Sequence, residues 1–554
     1  MSDRTDDQSK GVNTTPARTQ VSASSNSTLN SSILKDALKM AFGTMTSRVL
    51  GLLRESMLAA LFDKSITDAF NAAFKIPNLF RRLLGEGSLS VSFIPVFIDA
   101  KAESPERAHN LVNSFYSILL ILLSVLTTLG VLYSDELLRL ILSPEFVSQT
   151  EKMVLTEHMA KIMFLFIFFI SSFAFAMGIL NSLGDFFWPA IAPTFWNLAM
   201  VFSTVWPQKW LPDSYARFGD QLAWGVVIGG ILQVAVLIPS LKKKGYLPKP
   251  DFSPKKLLAN KDSWIVFRNM VPGLIGMGLM QVNTVINLRF SSRFEEGTVS
   301  FINYVDRLIE LPLSLIAVSL GTALLPSLSG LWNQKDHDGF AKTAQKYLEL
   351  NIYLSILAAA GLYVLAYPIV DLLYGRGKFT ADDVFVTAEI LKSYCWIMIF
   401  SSGVRVLTPA YFAVKNTWFP ATVSGLCVIM HISIAPLLMN KYQVHGLMFS
   451  TIASASLNFL LLLAFFPIFI TQFQYLKFIK TVCMYLGGGL VLAFIAYNYF
   501  WMVDLYGSTS VMKIFILIFT LLICLFSIVI ISYILRVEEV LLVFKKIRSR
   551  IRRK

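Results

Sequence analysis

Apolar runs long enough to cross a membrane recur from Ile33 to Leu535, separated by short polar links. A bilayer core about 30 Å thick asks for about 20 consecutive apolar residues in a helix, and segment after segment meets that length. Inside hydrocarbon every backbone N–H and C=O must find its partner within the chain, so only helices or a closed barrel can cross. The runs are long and rich in Leu, Ile and Phe, not short alternating strands, which excludes the barrel. Composition agrees: 15% of residues are charged, against about 25% in soluble domains. The chain reads as an all-α integral membrane protein with about fourteen transmembrane helices.

Residues 1–33 are polar, lack the apolar stretch of a signal peptide, and read as a disordered cytoplasmic tail. Six spans fill 34–241, a basic linker covers 242–263, six more fill 264–470, a last pair fills 471–535, and a basic cytoplasmic tail covers 536–554. Segments 69–98, 298–331, 345–374 and 384–413 read as single helices, and 419–439 and 443–470 as two. The linker holds Lys242, Lys243, Lys244, Lys249, Lys255, Lys256 and Lys261 against only Asp251 and Asp262. Lys/Arg bias of this kind places the even-numbered links and both termini in the cytoplasm. The net charge of +14 comes from such links and from the closing run Lys545–Lys554. That placement suits anionic lipid headgroups and not nucleic acid.

The chain repeats itself. Thr67/Thr298, Phe70/Phe301, Ser88/Ser319, Pro95/Pro326 and Pro189-Ala190/Pro420-Ala421 all align at one offset of 231 residues. An offset of six spans preserves topology, so the repeat predicts two parallel six-helix lobes around a central cavity. The last two spans fall outside it.

Charges inside the spans point to function. An Arg, Lys or Asp at a helix centre costs about 2.5–3.5 kcal/mol, so such residues face cavities or partners. The first span contains Arg48, Arg54 and Glu55; the second contains Asp68, Lys75, Arg81, Arg82 and Glu86. On a helical wheel Asp68, Lys75, Arg82 and Glu86 fall within about 40° of one another. Asn71 and Asn78 flank this stripe, and the eighth span has a smaller version in Asn303, Asp306, Arg307 and Glu310. Lys75 and Asp306 correspond under the repeat offset. Snorkelling at a helix end is the competing reading for Arg81, Arg82 and Glu86, and pairing with a neighbouring Arg is the reading for Glu55 and Glu310. Arg48, Arg54, Lys75 and Arg307 are assigned to the cavity. Arginine's planar fork suits phosphate oxygens, so the expected cargo is anionic. Pro272 and the glycines after it make the seventh span a candidate for bending.

Other chemistry finds no support in the residues. The four cysteines are scattered through apolar segments and read as buried thiols, and the five histidines form no ligand or triad pattern. No glycine-rich phosphate loop follows a strand, so neither a cofactor nor ATP is expected, and an enzyme is disfavoured.

The stretch Ser47-Arg48-Val49-Leu50-Gly51-Leu52-Leu53-Arg54-Glu55 is followed by Thr67-Asp68-Ala69-Phe70 and by Phe74-Lys75-Ile76-Pro77-Asn78-Leu79-Phe80-Arg81-Arg82. With Gly85-Glu86-Gly87, Asp306-Arg307-Leu308, Gly321-Thr322-Ala323-Leu324-Leu325-Pro326-Ser327 and Tyr374-Gly375-Arg376-Gly377-Lys378-Phe379-Thr380, they closely resemble the MurJ (MviN) family. That family sits within the MATE-like exporter superfamily. The resemblance runs from about Leu34 through the twelfth span. It implies a flippase that carries lipid II, the undecaprenyl-pyrophosphate-linked disaccharide-pentapeptide precursor of peptidoglycan, to the outer leaflet of the bacterial cytoplasmic membrane by alternating access. It implies that Arg48, Arg54, Arg81 and Arg307 are cavity arginines, that Asp68 is an important acid, and that the last two helices form a groove for the lipid tail. Lipid II and the phospholipid bilayer are the implied partners, with peptidoglycan synthesis enzymes as a further option. The wheel favours Arg82 and the resemblance Arg81, so both are kept. An exporter of another lipid-linked saccharide, or of a drug, on the same fold is the alternative.

Overall fold

A computed structural model describes residue 43 and residues 45–83, 89–206, 219–314, 319–470, 472–507 and 509–537. The expected tail 1–33, Glu86 and nearly all of the basic tail 536–554 lie outside the described residues. Among those described the chain is helical and contains no strand. The first half comprises α1 (45–61), α2 (Lys64–Phe80), α3 (Leu89–Glu103), α4 (Pro105–Leu132), α5 (Thr150–Met163), α6 (Leu165–Ser182), α7 (Phe187–Val205) and α8 (Asp220–Lys244). The second half comprises α9 (Lys261–Ser291), α10 (Thr298–Leu313), α11 (Ser319–Asn333), α12 (His337–Val364), α13 (Ala366–Tyr374), α14 (Ala381–Tyr394), α15 (Ile397–Ala413) and α16 (Trp418–Ala464). The final pair is α17 (Tyr475–Tyr506) and α18 (Ser510–Ile534).

Seven stretches among the described residues are long and apolar enough to cross a membrane, one of them α5 and α6 taken together (Thr150–Ser182), and eight if α14 and α15, bent by 46°, form one span. Exposed side chains such as Leu490, Phe494, Phe526 and Ile534 face outward along α17 and α18, as a lipid solvent permits. This is a multi-pass membrane protein.

Pro77 in α2 and Pro312 in α10 each remove a backbone donor. Both helices pass into π turns, at 81–83 and at 314, the latter being position 83 moved by the repeat offset. Segments 69–98 and 298–331, expected to be continuous, run through 84–88 and 315–318, which lie outside the described residues. Two other segments expected to be continuous are broken. Segment 345–374 divides at Leu365, and 384–413 divides between Tyr394 and Ile397. The two helices expected at 419–439 and 443–470 are both present within α16, separated at Gln443, where the backbone leaves helical geometry with φ 51° and ψ −131°. Span seven, the candidate for bending, is the unbroken helix α9 with Pro272 inside it.

The core is aromatic. Phe93 of α3, Phe115 of α4 and Phe175 of α6 meet with ring centroids 4.9–5.9 Å apart. Val266, Met270 and Leu288 of α9 join this first-half core. Cys395, Cys427 and Cys524 are buried as expected, but Cys483 is exposed on α17, on a face the core does not reach. The basic linker after α8 is held against α4: Lys249 and Asp251 donate backbone N–H groups to Asn113 and Ser117, each at 2.8 Å.

Candidate functional site

The two repeat-related helices α2 and α10 lie face to face. Asn71 donates its amide to Ser300 Oγ at 3.2 Å, and Asn303 donates to Asn71 Oδ1 at 3.0 Å. Below this seam two connected cavities open.

The first cavity, of about 430 Å³, is lined by Arg48, Arg54, Arg81, Arg307 and Glu310 together with Asn78, Trp196, Asn197 and Ser314. The second, of about 330 Å³, shares Arg54, Arg307 and Glu310 and adds Glu55, Lys75, Arg82, Asp306 and Arg405. Together seven cationic side chains face three acids, so the walls favour an anion.

Arg54 is the most constrained of them. It is 5% exposed, and its guanidinium lies 4.6 Å from the centroid of the Trp196 ring. One of its Nη groups donates to Asn197 Oδ1 at 3.1 Å and the other to Glu55. Asn197 is itself fixed by donating to the Ser47 carbonyl at 2.9 Å. Stacking and two directional bonds hold the fork in one orientation before any ligand arrives. Glu55 also pairs with Arg307, 3.5 Å away, and Arg307 pairs with Glu310 at 3.6 Å. Pairing with neighbouring arginines is what the sequence suggested for both glutamates. Among the described residues the Arg54 Nε–H has no hydrogen-bond partner, and the Arg307 Nε–H has only its long 3.5 Å approach to Glu55. A buried donor left open costs about 1–3 kcal/mol, which a bound anion would relieve at Arg54. Arg48 reaches across to Ser314 of the second half.

Arg81 and Arg82 both face cavities, but different ones. Arg81 lines the first, with its Nε donating to Asn78 at 2.9 Å; Arg82 lines the second, donating to Gln281 at 3.3 Å. The π turn at 81–83 explains why a straight helical wheel could present only one of them. Lys75 and Asp306 share the second cavity. Arg405 was not anticipated, although a lone Arg in Val404-Arg405-Val406-Leu407 carries the same intramembrane signal as Arg54.

Asp68 lies elsewhere. It is 1% exposed and lines neither cavity. Its Oδ1 accepts from the N–H and Oγ of Ser300 at 2.9 and 2.7 Å, and its Oδ2 from Gly297 N–H at 2.7 Å and Lys152 Nζ at 2.8 Å. It thus acts as an N-cap for α10 contributed by α2, a carboxylate set on the positive end of a helix in the other half. All four donors are matched, so what the wheel placed on a cavity stripe is a latch between halves. Lys152 gave no sequence signal, because it sits among the polar residues that open α5 and not within an apolar run.

More contacts join the halves at this end. Lys378 donates its backbone N–H to the Ala60 carbonyl at 2.8 Å and its Nζ to Asp63 at 2.8 Å. Lys64 pairs with Asp383 at 2.7 Å, and Ser56 donates to the Leu373 carbonyl. His431 and His445 have fixed hydrogen bonds, to Asn287 and Ser393.

Known proteins match this arrangement. The family profile described as "Lipid II flippase MurJ" matches residues 57–535. A "Probable lipid II flippase MurJ" from Bdellovibrio bacteriovorus is 46% identical over 470 residues, covering 84% of this chain and 88% of its own. The chain belongs to the MurJ family. A "Lipid II flippase MurJ" from Burkholderia cenocepacia is 34% identical, covering 76% of this chain and 81% of its own. A solved lipid II flippase MurJ in an inward closed conformation superposes with a TM-score of 0.73 at 25% identity, covering 89% of this chain and 98% of that one. An inward-facing multidrug MATE transporter, 12% identical, covers 77% of this chain and 97% of its own with a TM-score of 0.63, which extends the fold to that wider group. MurJ proteins are transporters, not enzymes.

Proposed function

We propose that this chain flips lipid II from the inner to the outer leaflet of the bacterial cytoplasmic membrane by alternating access. The convergence of Arg48, Arg54, Arg81 and Arg307 on one cavity carries the reading. In this account fourteen helices cross the bilayer, two six-helix lobes rock about the cavity, and both termini are cytoplasmic. The basic linker then marks the inner face, and the Asp68 and Lys378 contacts close the outer face. Loading from the cytoplasmic leaflet follows.

The chemistry is a competition. Arg54 and Arg307 share Glu55, and a pyrophosphate offers both guanidinium groups a stronger, bidentate partner. Arg307 belongs to the second half, so drawing it off Glu55 toward cargo held by Arg48 and Arg54 links occupancy to the relation between the halves. Moving the anionic headgroup outward runs with an inside-negative potential, a gain of about 2.3 kcal/mol per charge per 100 mV. Lys75, Arg82, Asp306 and Arg405 extend the binding surface, Glu86 belongs to the same stripe, and α17 and α18 take the lipid tail. Enzymes that make and use lipid II are natural neighbours, and crosslinked co-purification tests that contact.

The direct test loads labelled lipid II into vesicles containing the purified protein and follows its accessibility from the opposite side. Movement of chemically unchanged lipid II supports the reading. Failure to move it, with movement of a different pyrophosphate-linked saccharide, would transfer the assignment to that cargo.

A further inference from the structure

The segment joining α8 to α9 is built, not slack. Tyr246 is buried, stacks on His109 at 4.6 Å and meets the edge of Phe97 at 5.2 Å. Beyond the two backbone bonds to Asn113 and Ser117, Asn260 donates to the Asn110 carbonyl at 3.1 Å. Arg107 grips Asp262 with both arms of its fork, at 2.8 and 2.7 Å. Every one of these anchors lies on α3 or α4.

The charges on this plate are one-sided. Its two acids are already taken, Asp251 by Lys256 at 2.7 Å and Asp262 by Arg107. Lys242, Lys243, Lys244, Lys249, Lys255 and Lys261 are exposed and have no acidic partner among the described residues. Phe252 and Trp264 are 55% and 48% exposed beside them, the aromatic type that settles at a headgroup layer. The contrast with the cavity is chemical. Arginine forks converge there on one small space, whereas here hydrated point charges are spread along a surface, which suits many diffuse headgroups and not one chelated ligand.

We propose that the docked 242–263 plate is a seat for anionic phospholipid headgroups of the leaflet it faces, tying α4 and the linker to the membrane surface. The cytoplasmic side of that leaflet rests on the orientation proposed above. Each lysine near an anionic surface strengthens association roughly fivefold before screening.

The test uses native mass spectrometry of the full chain offered phosphatidylglycerol, phosphatidylcholine or lipid II, comparing wild type with Lys255→Gln/Lys261→Gln. The proposal expects phosphatidylglycerol retention to fall about tenfold in the double variant, with phosphatidylcholine unaffected and the difference closing at high salt. Equal phosphatidylglycerol retention overturns it. So does selective loss of lipid II, which would make the plate a capture site for substrate. Orientation is read separately, by labelling Lys255→Cys in intact cells with an impermeant maleimide. Labelling from outside defeats the orientation while leaving the headgroup result standing.

Discussion

Replacing Asp68 with Asn should unlatch the end of the protein where α2 meets the first turn of α10. The side chain keeps its shape but loses its charge, so the bonds from Gly297 N–H, Ser300 N–H and Ser300 Oγ change from charge-assisted to neutral or repulsive. Hydrogen bonds to charged groups contribute about 1.5–3 kcal/mol and neutral ones about 1, so three of them sum to a few kcal/mol before water competes in the open state. A net shift of about 2 kcal/mol toward opening is expected, roughly 30-fold in the open-to-closed ratio. The Lys378–Asp63 pair lies at the same end, but its side chains are 53% and 60% exposed. Such pairs are worth about 0–1 kcal/mol, so Lys378→Ala should move the ratio by no more than about fivefold. Spin labels at Leu61→Cys and Asp382→Cys, on opposite sides of the seam, report the ratio as a distance distribution. Asp68→Asn also leaves Lys152 buried without its counter-ion, which can weaken the fold. Ser300→Ala is therefore the companion variant: it removes one donor and no charge, for a shift of about 1 kcal/mol. An unchanged distance distribution in both folded variants would refute the latch.

Further outcomes are expected. Arg54→Lys retains charge but loses the fork and the fit over Trp196, and lipid II transport in vesicles should fall at least about 30-fold. Arg405→Ala should weaken lipid II binding by about tenfold, measured by titration of purified protein, and leave thermal stability within about 0.5 kcal/mol because the side chain is exposed to the cavity. Gly377 sits at φ 61° with any added Cβ 2.1 Å from the Ala60 carbonyl oxygen. Gly377→Ala should therefore push the seam apart at a cost above about 1 kcal/mol, visible with the same label pair as Asp68→Asn.

Much of this was legible in the residues, for physical reasons. Hydrocarbon tolerates no unpaired backbone, so apolar length announces the helices. It tolerates few charges, so Arg48, Arg54, Lys75 and Arg307 announce a cavity. Local distortions were harder to see. Periodicity runs straight through Pro77 and Pro312 and gives no sign of the π turns at 81–83 and 314 that follow them. The same π turn separates Arg81 from Arg82 and sends them to two cavities. For Asp68 the wheel gave a direction but not a depth. At the start of α2 that direction meets the first turn of α10, and two turns later it meets open space lined by Lys75. Lys152 could not be anticipated, since its meaning comes from Asp68 across 84 residues of chain. Arg405 could have been, by the argument already applied to Arg54.

If the arginine cavity holds the pyrophosphate, its cations must govern both binding and movement of lipid II, measured with purified wild type and with Arg48→Ala, Arg54→Ala and Arg307→Ala. Loss of both is expected in each folded variant, with binding weakened by at least about tenfold. Binding and movement at wild-type levels in all three would contradict it.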